Sequence, residues 1–144
     1  RRTLCATPEY FERRGIPLTP ADLVNHNCLD YTRSGEQGRW RFHGPEGEIS
    51  VLVTGSLRVD DDEALSQAVL GGLGLALLPT FIVGRDLQAG RLQAALSEYI
   101  AVERHVYAMY LPTRHLPSKV RVFIDFLLER IGENPYWDRE NGDD

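Results

Sequence analysis

The stretch Gly71-Gly72-Leu73-Gly74-Leu75-Ala76-Leu77-Leu78-Pro79 constrains the fold of this chain more than any other. Leu75 to Leu78 is a continuous apolar run of strand length, bounded by glycine and proline, with no polar residue on alternate positions. That pattern predicts a strand covered on both faces, which requires packed layers on either side of it. Upstream, Leu65, Ala68, Val69 and Leu73 share one helical face, and the acidic run Asp60-Asp61-Asp62-Glu63 stands where that helix begins. The glycines therefore fall at a helix C-terminus. A nucleotide loop needs its glycines between a strand and a helix N-terminus, where free N–H groups meet phosphate. A C-cap with close helix-to-sheet contact explains these glycines better.

The neighbouring segments predict an alternation of strands and helices. Thr3 to Ala6 reads as a strand, followed by a helix with Thr7 as N-cap, Pro8 in its first turn and Gly15 as its stop. Thr19-Pro20-Ala21-Asp22-Leu23 repeats the start signal for a short helix, and Cys28 to Tyr31 reads as a strand. Gly35 and Gly38 mark a loop. Trp40 to Thr54 reads as a hairpin turning at Gly44-Pro45-Glu46-Gly47, and Leu57 to Val59 as an extended path into the acidic run. Pro79 ends the buried strand, and Thr80 to Val83 is expected to make one helical turn. Asp86 to Glu103 is read as connective, Val106 to Leu111 as a strand, and Asp138 to Asp144 as a disordered tail. Such alternation predicts an α/β fold, and the hairpin interrupting it predicts a mixed sheet flanked by helices.

From Pro117 onward, Val120, Phe123, Ile124, Leu127 and Ile131 follow the i, i+3, i+4, i+7, i+11 spacing of an amphipathic helix. Leaving those five side chains wet forgoes about 7–15 kcal/mol, at about 1.5–3 kcal/mol each. The helix is therefore expected to dock on its own domain, on a neighbouring chain or on a segment outside this sequence.

Composition excludes several functions. The 144 residues suit one domain, and 16 basic against 21 acidic residues give a formal charge of −5. A nucleic-acid surface needs a concentrated cationic patch, and none is present. The longest apolar run, Leu73 to Leu78, is too short to cross a bilayer. Cys5 and Cys28 offer neither metal spacing nor a disulfide framework and are expected to fill the core, which makes the cytoplasm the expected location. His26, His43, His105 and His115 are scattered without ligand spacing, so no metal is expected. No serine stands on a strained Gly-x-Ser-x-Gly turn, so no catalytic residue and no cofactor are expected. The N-terminus lacks the pattern of a secretory signal, and Arg1 in place of Met suggests a piece of a longer chain.

Several segments together resemble LysR-type transcriptional regulators. They are Leu4-Cys5-Ala6-Thr7-Pro8-Glu9-Tyr10-Phe11 with Gly15-Ile16-Pro17, Thr19 to Leu23, His26, Cys28-Leu29 and Tyr31. Trp40, Phe42, Gly44 to Gly47, Gly55-Ser56-Leu57 and Asp60 continue the likeness. Ala64-Leu65, Ala68, Gly71, Gly74-Leu75-Ala76-Leu77-Leu78-Pro79 and Phe81 are its strongest block, and Val106 to Tyr110 with Arg114 to Leu127 completes it. The resemblance implies a fold like the type 2 periplasmic binding proteins, in which two α/β subdomains enclose a small effector. It assigns residues 1–113 to the second subdomain, 114–132 to a helix returning to the first, and 133–144 to a polar tail. It implies a small-molecule effector, self-association, no membrane, and DNA contact only through a winged helix-turn-helix outside this sequence. By position it places Ala6, Thr7, Pro8, Asp60, Asp61, Leu78, Pro79, Thr80 and Phe81 at the effector cleft. It also implies asparagine where Asp60 stands, and a carboxylate there disfavours an organic-acid effector unless Arg58 or the absent half compensates. A free-standing solute-binding protein of the same fold is the alternative, and an enzyme a third reading that no motif supports.

Overall fold

The computed structural model describes residues 1–32, 38–45, 47–101, 107, 109 and 117–131. The chain forms two compact units, Arg1–Arg104 and His105–Asp144.

The first unit is organised around two strands, β1 (Arg2–Ala6) and β6 (Ala76–Pro79), paired antiparallel with Arg2 opposite Pro79 and Cys5 opposite Ala76. Successive side chains on a strand point to opposite faces. Leu4 and Ala6 of β1 enter one apolar cluster together with Leu75 and Leu77. Cys5, Ala76 and Leu78 enter a second cluster on the other face. The run from Leu75 to Leu78 is uniformly apolar because both of its faces are core.

Helices and a hairpin supply the two coverings. The first cluster is closed by Tyr10 and Phe11 of α1 (Pro8–Arg14), by Leu23 of the 3₁₀ helix Pro20–Asn25, and by Trp40 and Phe42 of β3 (Arg39–Gly44). β3 pairs with β4 (Gly47–Leu52) as the expected hairpin, which sets Trp40 opposite Val51 and Phe42 opposite Ile49 on the core side. The second cluster is closed by Leu65 and Val69 of α2 (Asp62–Leu70) and Val83 of α3 (Thr80–Gln88).

β2 (Asp30–Tyr31) runs parallel to β5 (Arg58–Val59). A parallel bridge between Cys28 and Leu75 lays the approach to β2 beside the approach to β6. Among the described residues the ladders form three sheets, β6-β1-β7 (with β7 spanning Gln93–Ala95), β2-β5 and β4-β3-β8 (with β8 spanning Ile100–Ala101). The bridge sets β5, β2 and β6 running one way and β1 the other, so the strand arrangement is mixed as expected.

The glycines before β6 act as a stop and a spacer. Gly72 takes φ +70°, its N–H donates to the Val69 carbonyl (2.9 Å), and the Leu73 N–H donates to the Ala68 carbonyl (3.2 Å). That is the Schellman arrangement, which occupies carbonyls left free at a helix end. At Gly74 a Cβ would lie 2.3 Å from the Asn27 carbonyl oxygen, so close contact between β6 and its neighbour forbids a side chain there.

Three expectations change. α3 runs to Gln88 instead of ending near Val83, and its true stop is Gly90, at φ +70°, in a second Schellman turn with the Gly90 and Arg91 N–H groups donating to Leu87 and Asp86. The segment read as connective contains β7 (Gln93–Ala95), paired antiparallel with β1, and β8 (Ile100–Ala101), paired with β3. The expected short second helix forms, and it is 3₁₀. Only Asp30 and Tyr31 of the Cys28 to Tyr31 segment form ladder pairs, with Cys28 in the single bridge. The loop at Gly35, most of the strand Val106 to Leu111 and the tail Asp138 to Asp144 lie outside the described residues.

In the second unit, α4 (Ser118–Ile131) forms where its periodicity predicts, starting after Pro117. None of its residues is buried, and Phe123, Phe126 and Leu128 are at least half exposed.

Gly74→Ala is expected to destabilise the first unit by about 2 kcal/mol or more through overpacking. Gly90→Ala, where a Cβ meets nothing within 4 Å but φ is +70°, should cost only about 1–2 kcal/mol. Urea denaturation of both variants checks the order.

Candidate functional site

Strand direction determines which ends meet. Because β5, β2 and β6 are parallel, their carboxyl ends finish at one edge, and antiparallel β1 starts there. Arg1, Arg2, Tyr31, Asp60, Asp61, Pro79, Thr80 and Phe81 converge at that edge. Open α/β sheets bind ligands outside the carboxyl ends of their strands.

Each side chain there has a defined neighbour or exposure. The Thr80 N–H and hydroxyl both donate to the Arg1 carbonyl, at 3.0 and 3.3 Å. The Arg2 guanidinium donates to the Leu77 carbonyl and lies over the Tyr31 ring, 5.2 Å from its centroid. Asp61 is the N-cap of α2, its carboxylate accepting from the Ala64 N–H at 2.8 Å. Asp60 and Phe81 are exposed and Pro79 is half-buried, whereas Leu78 is fully buried in the second cluster.

Ala6, Thr7 and Pro8 are not brought to this edge. They end β1, the reversed strand, and so lie at the far end of the β1–β6 pair. Thr7 is buried, its hydroxyl accepts from the Tyr10 N–H at 3.3 Å, and it stands 3.6 Å from where a Cβ on Gly72 would be. Its hydroxyl serves the start of α1. Of the nine positions expected at one cleft, Asp60, Asp61, Leu78, Pro79, Thr80 and Phe81 meet, and the other three form the opposite corner.

Sequence reasoning missed Arg2 and Tyr31, whose place follows from strand polarity. It also missed Asp30, a charged residue between apolar Leu29 and Tyr31, which was itself a readable signal. Asp30 is 5% exposed; Oδ1 accepts from the Trp40 indole N–H at 3.0 Å, and Oδ2 has no hydrogen-bond partner among the described residues. This bond ties the hairpin to β2. Cys5 and Cys28 are buried and free, as expected of core residues. Burial pushes both thiols up to about 12, with Asp86 adding to the effect at Cys5 and Asp30 at Cys28. Neither has thiolate character near neutrality.

Residues 1–132 match the LysR substrate binding domain family. The chain belongs to that family. It is 33% identical over 133 residues to the HTH-type transcriptional regulator PtxR of Pseudomonas aeruginosa, covering 91% of this chain and 42% of PtxR. The regulatory domain of CrgA, a LysR-type transcriptional regulator of Neisseria meningitidis, superposes with a TM-score of 0.73 at 29% identity, covering 92% of this chain and 65% of that one. Full-length AphB, the Vibrio cholerae virulence activator, gives 0.75 at 26% identity over 89% of this chain and 44% of its own. The chain spans less than half the length of the whole regulators it matches. Its fold is that of LysR-type regulatory domains, like the type 2 periplasmic binding proteins, and no helix among the described residues is long and apolar enough to cross a membrane.

Trp40→Phe removes the donor to a buried carboxylate and is expected to cost about 1.5–3 kcal/mol. Adding Asp30→Asn should recover part of that loss in urea denaturation. Both thiols should react with a thiol reagent only at the rate of unfolding.

Proposed function

We propose that this LysR-family chain is the effector-sensing part of a DNA-binding transcriptional regulator, that it is not an enzyme, and that its small molecule binds at the carboxyl edge of β5, β2 and β6. In this reading Asp60, Asp61, Pro79, Thr80 and Phe81 face the effector, with Arg2 and Tyr31 beside them, and Leu78 supports them from the core. Ala6, Thr7 and Pro8 build the opposite corner and do not touch it. The single observation carrying the reading is the family match over 1–132, joined to the convergence of those strand ends.

Arg1–Arg104 corresponds to most of the second subdomain, and α4 to a helix returning to the first. The exposed apolar residues of α4 support a partner that covers them, either the rest of the first subdomain or another copy. DNA contact falls to a winged helix-turn-helix outside this sequence, consistent with the formal charge of −5 here. Effector binding shifts the balance between subdomain arrangements, and through it the spacing of DNA-binding domains in an oligomer. A free-standing solute-binding protein is less well supported, since the relatives over most of the chain are HTH-type regulators.

The test is a thermal-shift series on the full-length protein with benzoate, succinate, L-arginine and putrescine, repeated with Asp60→Asn and Thr7→Ser. The expected result is that Asp60→Asn strengthens the response to the two acids relative to the two cations, while Thr7→Ser leaves the ranking unchanged. A ranking altered by Thr7→Ser and untouched by Asp60→Asn would put the effector at the other edge.

A further inference from the structure

The corner opposite the candidate site holds a buried network around one histidine. Tyr10 of α1 and His26 are 3% and 8% exposed, and the Tyr10 hydroxyl lies 3.2 Å from His26 Nδ1. The Asn27 backbone N–H donates to the same Tyr10 oxygen at 3.0 Å. An amide N–H can only donate, so the Tyr10 oxygen accepts from Asn27; with one lone pair so occupied, we assign the Tyr10 proton to His26 Nδ1, the arrangement in which that oxygen both donates and accepts. Nδ1 is then the lone-pair nitrogen, and the ring proton sits on Nε2.

Asn27 is the hub of this corner. Its side-chain amide donates to Ser56 Oγ (2.9 Å) and to the Leu73 carbonyl (2.7 Å), and its Oδ1 accepts from the Ser56 N–H (2.7 Å). Its carbonyl accepts from the Leu75 N–H at 3.0 Å. Through Asn27 the Tyr10–His26 pair is connected to the glycine turn that launches β6.

We propose that Tyr10, His26 and Asn27 form a proton-sensitive latch, and that protonation of His26 loosens the contacts of Asn27 with the glycine turn at Gly71–Gly74. Imidazolium is a donor at both nitrogens. The Tyr10 hydroxyl proton then loses its acceptor in a buried place, which costs more than an unmade bond at the surface. The surrounding charges act unevenly. Arg14 of α1, which donates to the Asn25 carbonyl at 2.9 Å, opposes a second cation, while Arg13 is turned to the Gly72 carbonyl. Asp22 of the 3₁₀ helix favours the cation, but its carboxylate already accepts from the Leu18 and Thr19 N–H groups. Ser56 and the glycine turn contribute no charge.

Burial first, then Arg14, holds the His26 pKa below its ordinary value, with Asp22 pulling the other way. The open corner therefore binds the proton more tightly than the closed one. The latch is complete above about pH 6.5, the ordinary histidine value, and weakens as pH falls from there through the lowered folded value.

The test combines an NMR titration of the His26 ring with amide exchange at about pH 7.5 and 5.5, corrected for intrinsic exchange. Protection at Asn27, Leu73 and Leu75 should fall by about 3- to 10-fold at the lower pH while the β1–β6 ladder keeps its protection. Tyr10→Phe should raise the His26 pKa, since it removes the bond that favours the neutral ring. His26→Gln should abolish the pH-dependent loss. A loss that persists in His26→Gln, or one that affects the β1–β6 ladder equally, would overturn the latch.

Discussion

The antiparallel pairing of β1 with β6, covered on both faces, is the constraint on which the rest of the first unit depends. Two short strands are marginal in water by themselves. Here alternate side chains feed two separate cores, Leu4, Leu75 and Leu77 into one and Cys5, Ala76 and Leu78 into the other. A fully buried leucine contributes about 1.5–3 kcal/mol, so a few such residues on each face outweigh what the ladder alone supplies. Everything else is placed relative to this pair. α1 and the hairpin cover one face, α2 and α3 the other, and the reversal of β1 decides which chain ends meet.

That reversal also explains how far the sequence could be read. The buried strand, the hairpin, α1 with its Thr7 cap, α2 with its acidic start and α4 all follow from local periodicity and capping chemistry. Gly71 to Gly74 could be recognised as a helix stop because the mechanism of a phosphate loop needs the other helix end. Strand polarity has no such local signature. The family resemblance grouped Ala6-Thr7-Pro8 with Pro79-Thr80 by position, whereas in the structure the carboxyl ends of β5, β2 and β6 meet and that of antiparallel β1 does not join them. β7 was invisible for another reason: Gln93, Ala94 and Ala95 carry no β-branched or aromatic side chain, and only pairing with β1 makes them a strand. α3 was read too short because Gly84, a poor helix former, lies inside it, while Gly90 supplies the left-handed stop.

The polar groups divide between scaffold and candidate site. The Thr7 hydroxyl and the Asp61 carboxylate both cap helices, so their chemistry is explained by folding. Asp30 anchors the hairpin through Trp40, and Asn27 anchors the glycine turn. At the carboxyl edge, Phe81 and Asp60 stay exposed beside Thr80 and Arg2, a mixture of apolar, anionic and cationic surface suited to a small polar molecule. In the proposed reading that edge faces the effector cleft.

The account stands on these two corners being distinct, and a NOESY spectrum of the labelled protein tests that most directly. It predicts cross-peaks from the Thr80 amide to protons of Arg1 and Arg2, and from Thr7 side-chain protons to Gly72. Cross-peaks joining Thr7 to Thr80, with none between Thr80 and the first two residues, would contradict it.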